Sequence, residues 1–298
     1  MQGQAKSTAS EVSPLGAAAR IAEVERRARI IDVPGKGSSV RWRLWGEGPR
    51  LILLHGNGGS WLHWIRNIPP LARRYAVMVP DVPGFGESEL PQPPHDYRSL
   101  ADSLYLSARA LVSRDSVAIA GFSMGASIAT GLAKQFGQSL RGLVLIGAGG
   151  GFGVASTQVK GLRRWRDVSD FEARRQVHRH NVRTLMLGPD ATDIDLAEEI
   201  QARGNEGTRV RFRREVDGGL LHSVLSGLEA PMAAVWGEED SIMRGHRAER
   251  EDYFGSAGAE LTFLPATGHW AQFERPEEIE AVIDATCLFH AFNAASAR

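Results

Sequence analysis

A serine between glycines stands where an apolar strand pattern changes to a helical one. The segment GFSMG occupies residues 121–125, directly after the apolar run Val117–Ala120. A serine on a sharp strand-to-helix turn projects its hydroxyl from the sheet edge, and small neighbours prevent backbone collisions there. N–H groups at the start of the helix can stabilise an oxyanion. The pattern predicts that Ser123 attacks a carbonyl carbon and that the N–H of Met124 faces the oxyanion; the alternative is a chance match in a glycine-rich loop.

A second glycine-rich turn closes another apolar run, where residues 53–60 read LLHGNGGS. Small residues after a strand let the backbone approach a substrate carbonyl, so an N–H group here can be the second donor to the oxyanion. We assign that role to the N–H of Asn57 and predict that Gly56 and Gly58 contact the substrate. By itself the segment fits an ordinary glycine-rich turn better.

A serine nucleophile needs a base, which is usually a histidine held by a carboxylate. Among the nine histidines, His269 follows an apolar run that ends at Leu264. The ends of parallel strands meet at one edge of a sheet, so His269 is expected beside Ser123. His55 is the alternative base, although its place beside the glycine-rich turn favours a structural role.

For the carboxylate, the run Met232–Trp236 ends in a turn that reads GEED. Asp240 is our choice because it stands three residues beyond the turn glycine, on the loop that approaches the histidine. Glu238 and Glu239 are the alternatives nearby, and we interpret Asp81 as structural. The order serine, aspartate, histidine along the chain is the order found in α/β-hydrolase sheets.

These candidates must be positioned by an α/β fold in which strands alternate with helices. Several runs are apolar throughout, as in strands that are covered on both faces of a parallel sheet. The predicted strands are Arg50–Leu54, Ala76–Val79, Ser116–Ala120, Gly142–Ile146, Met232–Trp236 and Glu260–Leu264, with a possible antiparallel edge from Ala28–Val33 and Ser39–Trp45. The predicted helices are Trp61–Arg73, Tyr97–Leu111, Met124–Phe136, Ser241–Tyr253 and one that starts near Pro276.

The alternation predicts a core domain with one insertion. Residues 1–20 have the composition of a disordered tail. Residues 21–150 and 229–298 are expected to form the α/β core, a mostly parallel central sheet flanked by helices. Residues 151–228 contain helical patterns without a convincing strand, so they are expected to form a helical cap inserted into the core.

Composition excludes several classes of function. The chain has 298 residues, with 35 basic and 35 acidic side chains, and this balance argues against a nucleic-acid partner. Its one cysteine, Cys287, excludes an internal disulfide and cysteine-based metal sites. No apolar run approaches the roughly 18 residues of a membrane span, and the first twenty residues lack the apolar centre of a secretory signal. We therefore expect a cytoplasmic protein without a membrane or metal partner, and homo-oligomerisation stays open.

Five motifs in one order resemble the α/β-hydrolase superfamily. They are the HG turn at His55, DVPGFGES, GFSMG, WGEED and GHWAQFERP, and the resemblance covers about residues 28–150 and 231–290. It implies that Ser123 is the nucleophile, His269 the base and Asp240 the acid that orients the base. It also identifies the insertion with the cap of the superfamily. Haloalkane dehalogenases and epoxide hydrolases carry aspartate at the position of this serine.

Within the superfamily, the histidine segment is similar to that of the meta-cleavage-product C–C hydrolases of aromatic degradation. Those enzymes also have Met-Gly after the nucleophile and a tryptophan after the histidine, matched here by Trp270. Their cap arginine, which holds an acidic substrate, has its match in Arg203. The chain departs from them at Phe122, where they usually carry asparagine, and at residues 58–60, where they usually have a Pro-Gly-Ala insertion. Phe122, Arg203 and Trp270 are accordingly predicted to contact the substrate.

The sequence thus predicts a serine hydrolase without a cofactor, acting on a small or medium acyl compound and water. The bond cleaved would be a carboxylic ester or the C–C bond of a meta-cleavage-type product. A lactonase and a haloperoxidase-like esterase are alternatives on the same residues. A non-catalytic ligand receptor on the same fold is the alternative from a different class.

Overall fold

A computed structural model describes residues 15–112, 115–149, 152–210 and 218–287. Its centre is an eight-stranded sheet in the order β1-β2-β4-β3-β5-β6-β7-β8. The strands are β1 (Arg29–Pro34), β2 (Ser39–Trp45), β3 (Arg50–Leu54), β4 (Ala76–Pro80), β5 (Val117–Phe122), β6 (Leu140–Ile146), β7 (Met232–Gly237) and β8 (Glu260–Leu264). The pairs β1–β2 and β2–β4 are antiparallel, and the other pairs are parallel. The predicted α/β class with a mostly parallel sheet is confirmed, including its antiparallel edge.

Helices cover both faces of the sheet. They are α1 (Ala17–Arg26), α2 (Ile68–Leu71), α3 (Tyr97–Val112), α4 (Met124–Phe136), α5 (Phe171–Leu185), α6 (Ile194–Glu206), α7 (Gly218–Ser226), α8 (Arg247–Ser256), α9 (Ala271–Glu274) and α10 (Pro276–Cys287). Apolar side chains from α3, α4, α7 and α8 form one core with one face of the sheet. Those from α1, α2, α5, α6, α9 and α10 form a second core on the other face. Every residue of β4, β5 and β7 is buried, as the continuous apolar runs predicted.

The segment between β6 and β7 contains helices joined by irregular stretches where it is described. Residues 152–210 and 218–226 of it, called the cap below, contain α5, α6 and α7 and no strand. Helix α6 also packs against α1, which precedes the sheet. The cap contributes to both cores, because apolar residues of α5 and α6 belong to the second core cluster and those of α7 belong to the first.

The N-terminal prediction needs a correction. Helix α1 begins at Ala17, so the last four residues of the predicted disordered tail are helical, and residues 1–14 of that tail lie outside the described part. The helix is held because Ile21 is buried and because the indole N–H of Trp45 donates to the carbonyl of Val24. Arg20 is also paired with Asp193 of the cap at 2.7 Å.

Two predicted helices have different bounds in the structure. The expected helix Trp61–Arg73 is divided into a 3₁₀ turn, Trp61–Trp64, and the short α2. Two successive prolines follow Ile68, and proline without an N–H fits only the first turn of a helix. The helix expected from Ser241 begins at Arg247, because Gly245 has a φ of +80° that a right-handed helix cannot contain.

A buried carboxyl group on α10 gives a pH-dependent test of the packing. Burial raises the pKa of Glu280 to about 7, whereas the unfolded chain should ionise it at about 4.3. Between these values the folded state binds more protons, so the group lowers stability as pH rises. Glu280→Gln should raise the free energy of unfolding at pH 8 by about 1–3 kcal/mol and change it little at pH 4.

Urea unfolding at the two pH values measures this effect. Glu278→Gln on the exposed side of the same helix is the control. It removes an acidic side chain from the first helical turn, so it should lower the value at pH 8 by less than about 1 kcal/mol rather than raise it. An equal effect of Glu280→Gln at both pH values would contradict the assignment.

Candidate active site

The turn between β5 and α4 presents Ser123 in a strained conformation. Ser123 has a φ of 53°, in the left-handed region that non-glycine residues rarely occupy. Its N–H donates to the carbonyl of Ile146 at 2.8 Å, which fixes the turn to the neighbouring strand. The flanking glycines allow the chain to pack this closely: a Cβ on Gly121 would lie 2.4 Å from the carbonyl oxygen of Gly125, and one on Gly125 would lie 2.5 Å from that of His55.

Three predicted side chains form a continuous line of hydrogen bonds at this edge of the sheet. Nε2 of His269 lies 3.0 Å from Oγ of Ser123, and Nδ1 of His269 lies 2.8 Å from Oδ2 of Asp240. His269 and Asp240 are almost entirely buried. Burial alone would raise the pKa of Asp240, but the His269 imidazole and two backbone N–H donors lower it. An ionised Asp240 accepts a hydrogen bond from the Nδ1–H of His269, so Nε2 carries no proton and can accept the one from the Ser123 hydroxyl.

The loop after β7 explains why Asp240 occupies this position and its acidic neighbours do not. The Oδ1 of Asp240 accepts the N–H of Ile242 at 2.8 Å, so the carboxylate is anchored on the side away from the histidine. The N–H of Glu239 donates to the carbonyl of Thr267 at 2.9 Å, which ties this loop to the histidine loop. The side chain of Glu238 is exposed and bonded to Arg247.

His55 has a structural role. Its Nε2 accepts the N–H of Val82 at 2.9 Å, so its proton is on Nδ1, which donates to the carbonyl of Gly56 at 2.8 Å. Burial lowers the pKa of His55 and keeps it neutral. Both ring nitrogens are occupied by backbone groups, which leaves neither to act as a base.

Asp81 is also structural, as expected. Its carboxylate accepts the N–H groups of Trp61 and Glu87 and pairs with the fully buried Arg43 at 3.1 Å. It therefore fixes the loop after β4 to the 3₁₀ turn.

The glycine-rich loop after β3 lies against Ser123. A Cβ on Gly56 would lie 3.2 Å from the Cβ of Ser123. The Gly56 carbonyl points at the ring of His55, and in a trans peptide the next N–H, that of Asn57, points the opposite way. The N–H of Met124 is the first of α4 and so has no partner within the helix. Among the described residues, neither N–H group makes an intramolecular hydrogen bond.

Several predicted substrate contacts have other surroundings in the structure. Phe122 is 1% exposed and packs on the rings of His63 and His269. Trp270 is fully buried, donates its indole N–H to the carbonyl of His63 and stacks on Phe273. Neither side chain offers surface to a substrate, so the structure does not support these two predicted contacts. Burial with a paired indole N–H is the stable arrangement for such a large ring.

The cap covers the glycine-rich loop through the backbone of α6. A Cβ on Gly204 would lie 2.3 Å from the carbonyl oxygen of Gly58, and a Cβ on Gly58 would lie 2.7 Å from Oδ1 of Asn205. Gly58 is therefore covered by the cap, so the structure does not support the predicted substrate contact there. Of the two glycines predicted to contact the substrate, Gly56 is the one that adjoins Ser123.

Arg203 is also placed differently from the prediction. Its Nε–H donates to Glu199 at 2.8 Å, one helical turn earlier, and its side chain is 45% exposed. Glu199 is in turn bonded to Arg175 of α5 at 2.8 Å. Among the described residues, Arg203 makes no contact with the serine or the histidine of the site, because this surface ion pair holds its guanidinium. The predicted role in holding an acidic substrate is not supported.

Glu274, which is not among the predicted site residues, joins the cap to the histidine loop. Its two carboxylate oxygens accept the N–H groups of Gly188 and Gly268, each at 2.9 Å. The N–H of Trp270 donates to the carbonyl of Met186 at 2.8 Å. The signal was present in GHWAQFERP, since a short helix directly after the histidine returns a glutamate to the start of its own loop.

Comparison with known proteins places this fold in a family. Residues 49–276 match the family model of the alpha/beta hydrolase fold. The chain belongs to the α/β-hydrolase family. This α/β hydrolase is 26% identical to a 2-hydroxy-6-oxo-6-(2'-aminophenyl)hexa-2,4-dienoic acid hydrolase of Metapseudomonas resinovorans, over 81% of this chain and 85% of that protein. The predicted resemblance to meta-cleavage-product hydrolases and the prediction of a hydrolase are both confirmed.

Other relatives of this α/β hydrolase have different names. It is 28% identical to a dihydrolipoyllysine-residue acetyltransferase component of an acetoin cleaving system of Pseudomonas putida, over 82% of this chain but only 65% of that protein. The crystal structure of carboxylesterase CesB from Bacillus subtilis has the same fold, with a TM-score of 0.71 at 15% identity over 92% of this chain and 96% of that one. Within the described residues, no helix has the length and apolar character that crossing a membrane requires.

The structural role of His55 can be tested through stability. His55→Leu should lower the free energy of unfolding by roughly 2–3 kcal/mol, because the buried N–H of Val82 loses its acceptor. Chemical denaturation measures the change. His180→Leu, which removes a solvent-exposed hydrogen bond to Gly161, is the control and should cost much less. A loss at His55 no larger than at His180 would contradict this role.

Proposed function

We propose that this α/β hydrolase is a serine hydrolase that needs no cofactor and cleaves carboxylic esters of small or medium acyl groups. The observation that carries the proposal is the unbroken line Ser123–His269–Asp240, with heavy-atom distances of 3.0 and 2.8 Å. Such distances are within hydrogen-bond reach, which is the geometric requirement for a nucleophile and its base.

In the first half of the reaction, Oγ of Ser123 attacks the ester carbonyl carbon while Nε2 of His269 takes the hydroxyl proton. The imidazolium formed is stabilised by the carboxylate of Asp240. The oxyanion lies between the N–H groups of Asn57 and Met124. His269 then gives its proton to the departing alcohol oxygen, and the acyl group stays on Ser123.

In the second half, water attacks the acyl carbon and gives its proton to the same nitrogen of His269. Collapse of the tetrahedral intermediate releases the carboxylic acid, and the proton returns to Oγ of Ser123. The cycle requires only a small-molecule acyl substrate and water. We further propose that it takes place in the cytoplasm, which the near absence of cysteine favours.

Cleavage of a C–C bond next to a ketone is the second candidate. It is favoured by the likeness to the dienoic acid hydrolase over most of both chains. An acidic substrate of this kind would need a cation near Ser123, and Arg203, the residue expected to supply it, is held in a surface ion pair with Glu199. Cleavage of a neutral ester does not require a cation near Ser123, so it is the leading proposal.

The test of the proposal is Ser123→Ala, which should reduce turnover of p-nitrophenyl acetate and butyrate by about 10⁴-fold or more while the protein stays folded. Assays should include a 2-hydroxy-6-oxohexa-2,4-dienoate to compare the two bonds. Ser127→Ala is a matched control, because Ser127 is buried on α4 and its hydroxyl has no hydrogen-bond partner in the described structure. Retention of more than about a tenth of wild-type turnover by Ser123→Ala would overturn the proposal.

A further inference from the structure

His63 lies where three loops of the site meet, and the mechanism above does not use it. It belongs to the 3₁₀ turn that follows the glycine-rich loop, and it is 1% exposed. We propose that His63 is a positioning residue that holds the glycine-rich loop in the orientation needed to stabilise the oxyanion. The inference rests on the proposed function and adds to it a residue that positions one of the two oxyanion donors.

The first observation is the hydrogen bond that His63 accepts. The N–H of Gly56 donates to its Nδ1 at 3.2 Å, so the ring proton must be on Nε2. Burial lowers the pKa of His63 well below its usual range, and His55 and His269 lower it further. The ring therefore stays neutral and keeps its acceptor.

The second observation is that the peptide groups around Gly56 are held from both sides. Its N–H is bonded to the ring of His63, and its carbonyl is bonded to the ring of His55 at 2.8 Å. The ring of His63 holds the peptide between His55 and Gly56, and the ring of His55 holds the next peptide, between Gly56 and Asn57. The rotation of the second peptide relative to the first is thereby fixed. The direction of the Asn57 N–H, one of the two oxyanion donors, depends on that rotation.

The third observation is that His63 also contacts the other two loops. Its ring packs edge-on against Phe122, which precedes Ser123, with 5.4 Å between ring centroids. Its carbonyl accepts the indole N–H of Trp270, which follows His269, at 3.0 Å. One residue thus connects the glycine-rich loop to the neighbours of the nucleophile and of the base.

The fourth observation argues that packing alone does not account for a histidine here. Nε2 of His63 carries a proton and is buried without a hydrogen-bond partner in the described structure, which costs free energy. A phenylalanine would fill the same space without that cost. The space itself is made by Gly59, where a Cβ would lie only 2.2 Å from the ring of His63. The hydrogen bond that Nδ1 accepts from Gly56 explains why a histidine occupies this position although its Nε2–H is unpaired.

Two substitutions separate the hydrogen bond from the packing. His63→Phe keeps a ring and removes the acceptor, whereas His63→Asn loses ring volume but places an amide oxygen near the position of Nδ1. We expect His63→Phe to lower kcat for p-nitrophenyl butyrate by about 10- to 100-fold, with KM changed by less than about threefold and Tm close to wild type, because the oxyanion forms only in the transition state. His63→Asn should recover part of the lost kcat despite a lower Tm.

A purely structural role predicts the opposite order, in which His63→Phe is active and His63→Asn is the poorest variant. Wild-type kcat in His63→Phe would overturn the inference, and so would a His63→Asn that is folded yet no faster than His63→Phe. His178→Phe is the control, because it replaces another buried histidine, in the cap, and should leave kcat unchanged. If Ser123→Ala is active, the proposed function fails; if Ser123→Ala is inactive and His63→Phe is fully active, only the role of His63 fails.

Discussion

The close approach of three backbone segments around the strained turn at Ser123 is the constraint on which the rest of the site depends. A residue with a φ of 53° persists only where its surroundings hold it there. Here the N–H of Ser123 is bonded to β6, and Gly125 of the first helical turn packs directly on the backbone at His55. Any side chain at Gly121 or Gly125 would separate these segments and withdraw the hydroxyl from the sheet edge.

Electrostatics around the serine are arranged so that each imidazole has a single tautomer. His269 is oriented by an ionised carboxylate, and burial keeps both His55 and His63 neutral. The two neutral rings bind the backbone of the glycine-rich loop, and the third faces the hydroxyl. The cap adds to this arrangement, because Glu274 binds Gly188 and Gly268 with its two oxygens. A movement of the cap at Gly188 would therefore displace Glu274 and, through Gly268, the loop that carries His269.

The sequence predicted the parts of the structure that depend on local patterns. The strands were found within about two residues. Strands β3 to β7 are mostly buried apolar runs, whereas β1, β2 and β8 were found although they are less buried. The serine, aspartate and histidine were found because each follows a predicted strand. The choice of Asp240 over Glu239 also followed from its distance from the turn. The bounds of α8 were missed because a single glycine with positive φ interrupts the helix.

Contacts between distant segments were not predictable. Trp270 is buried because its indole N–H meets the carbonyl of His63, 207 residues earlier in the chain. His63 gave no local signal because two of its contacts, Phe122 and Trp270, belong to other loops. Arg203 is different, since Glu199 stands four residues before it and an i,i+4 ion pair was readable from the sequence. A surface arginine was the simpler interpretation of Arg203, and the substrate contact was predicted only from the resemblance to the cap arginine of the C–C hydrolases.

The central claim is that Ser123 is an activated nucleophile, and a fluorophosphonate probe tests it most directly because labelling does not require the substrate to be known. Peptide mapping of the labelled wild-type protein should find the probe on Ser123 alone, and His269→Gln should remove the labelling without unfolding the protein. A folded wild-type protein that takes up no label, as expected of a non-catalytic receptor, or a label on a different serine would contradict the account.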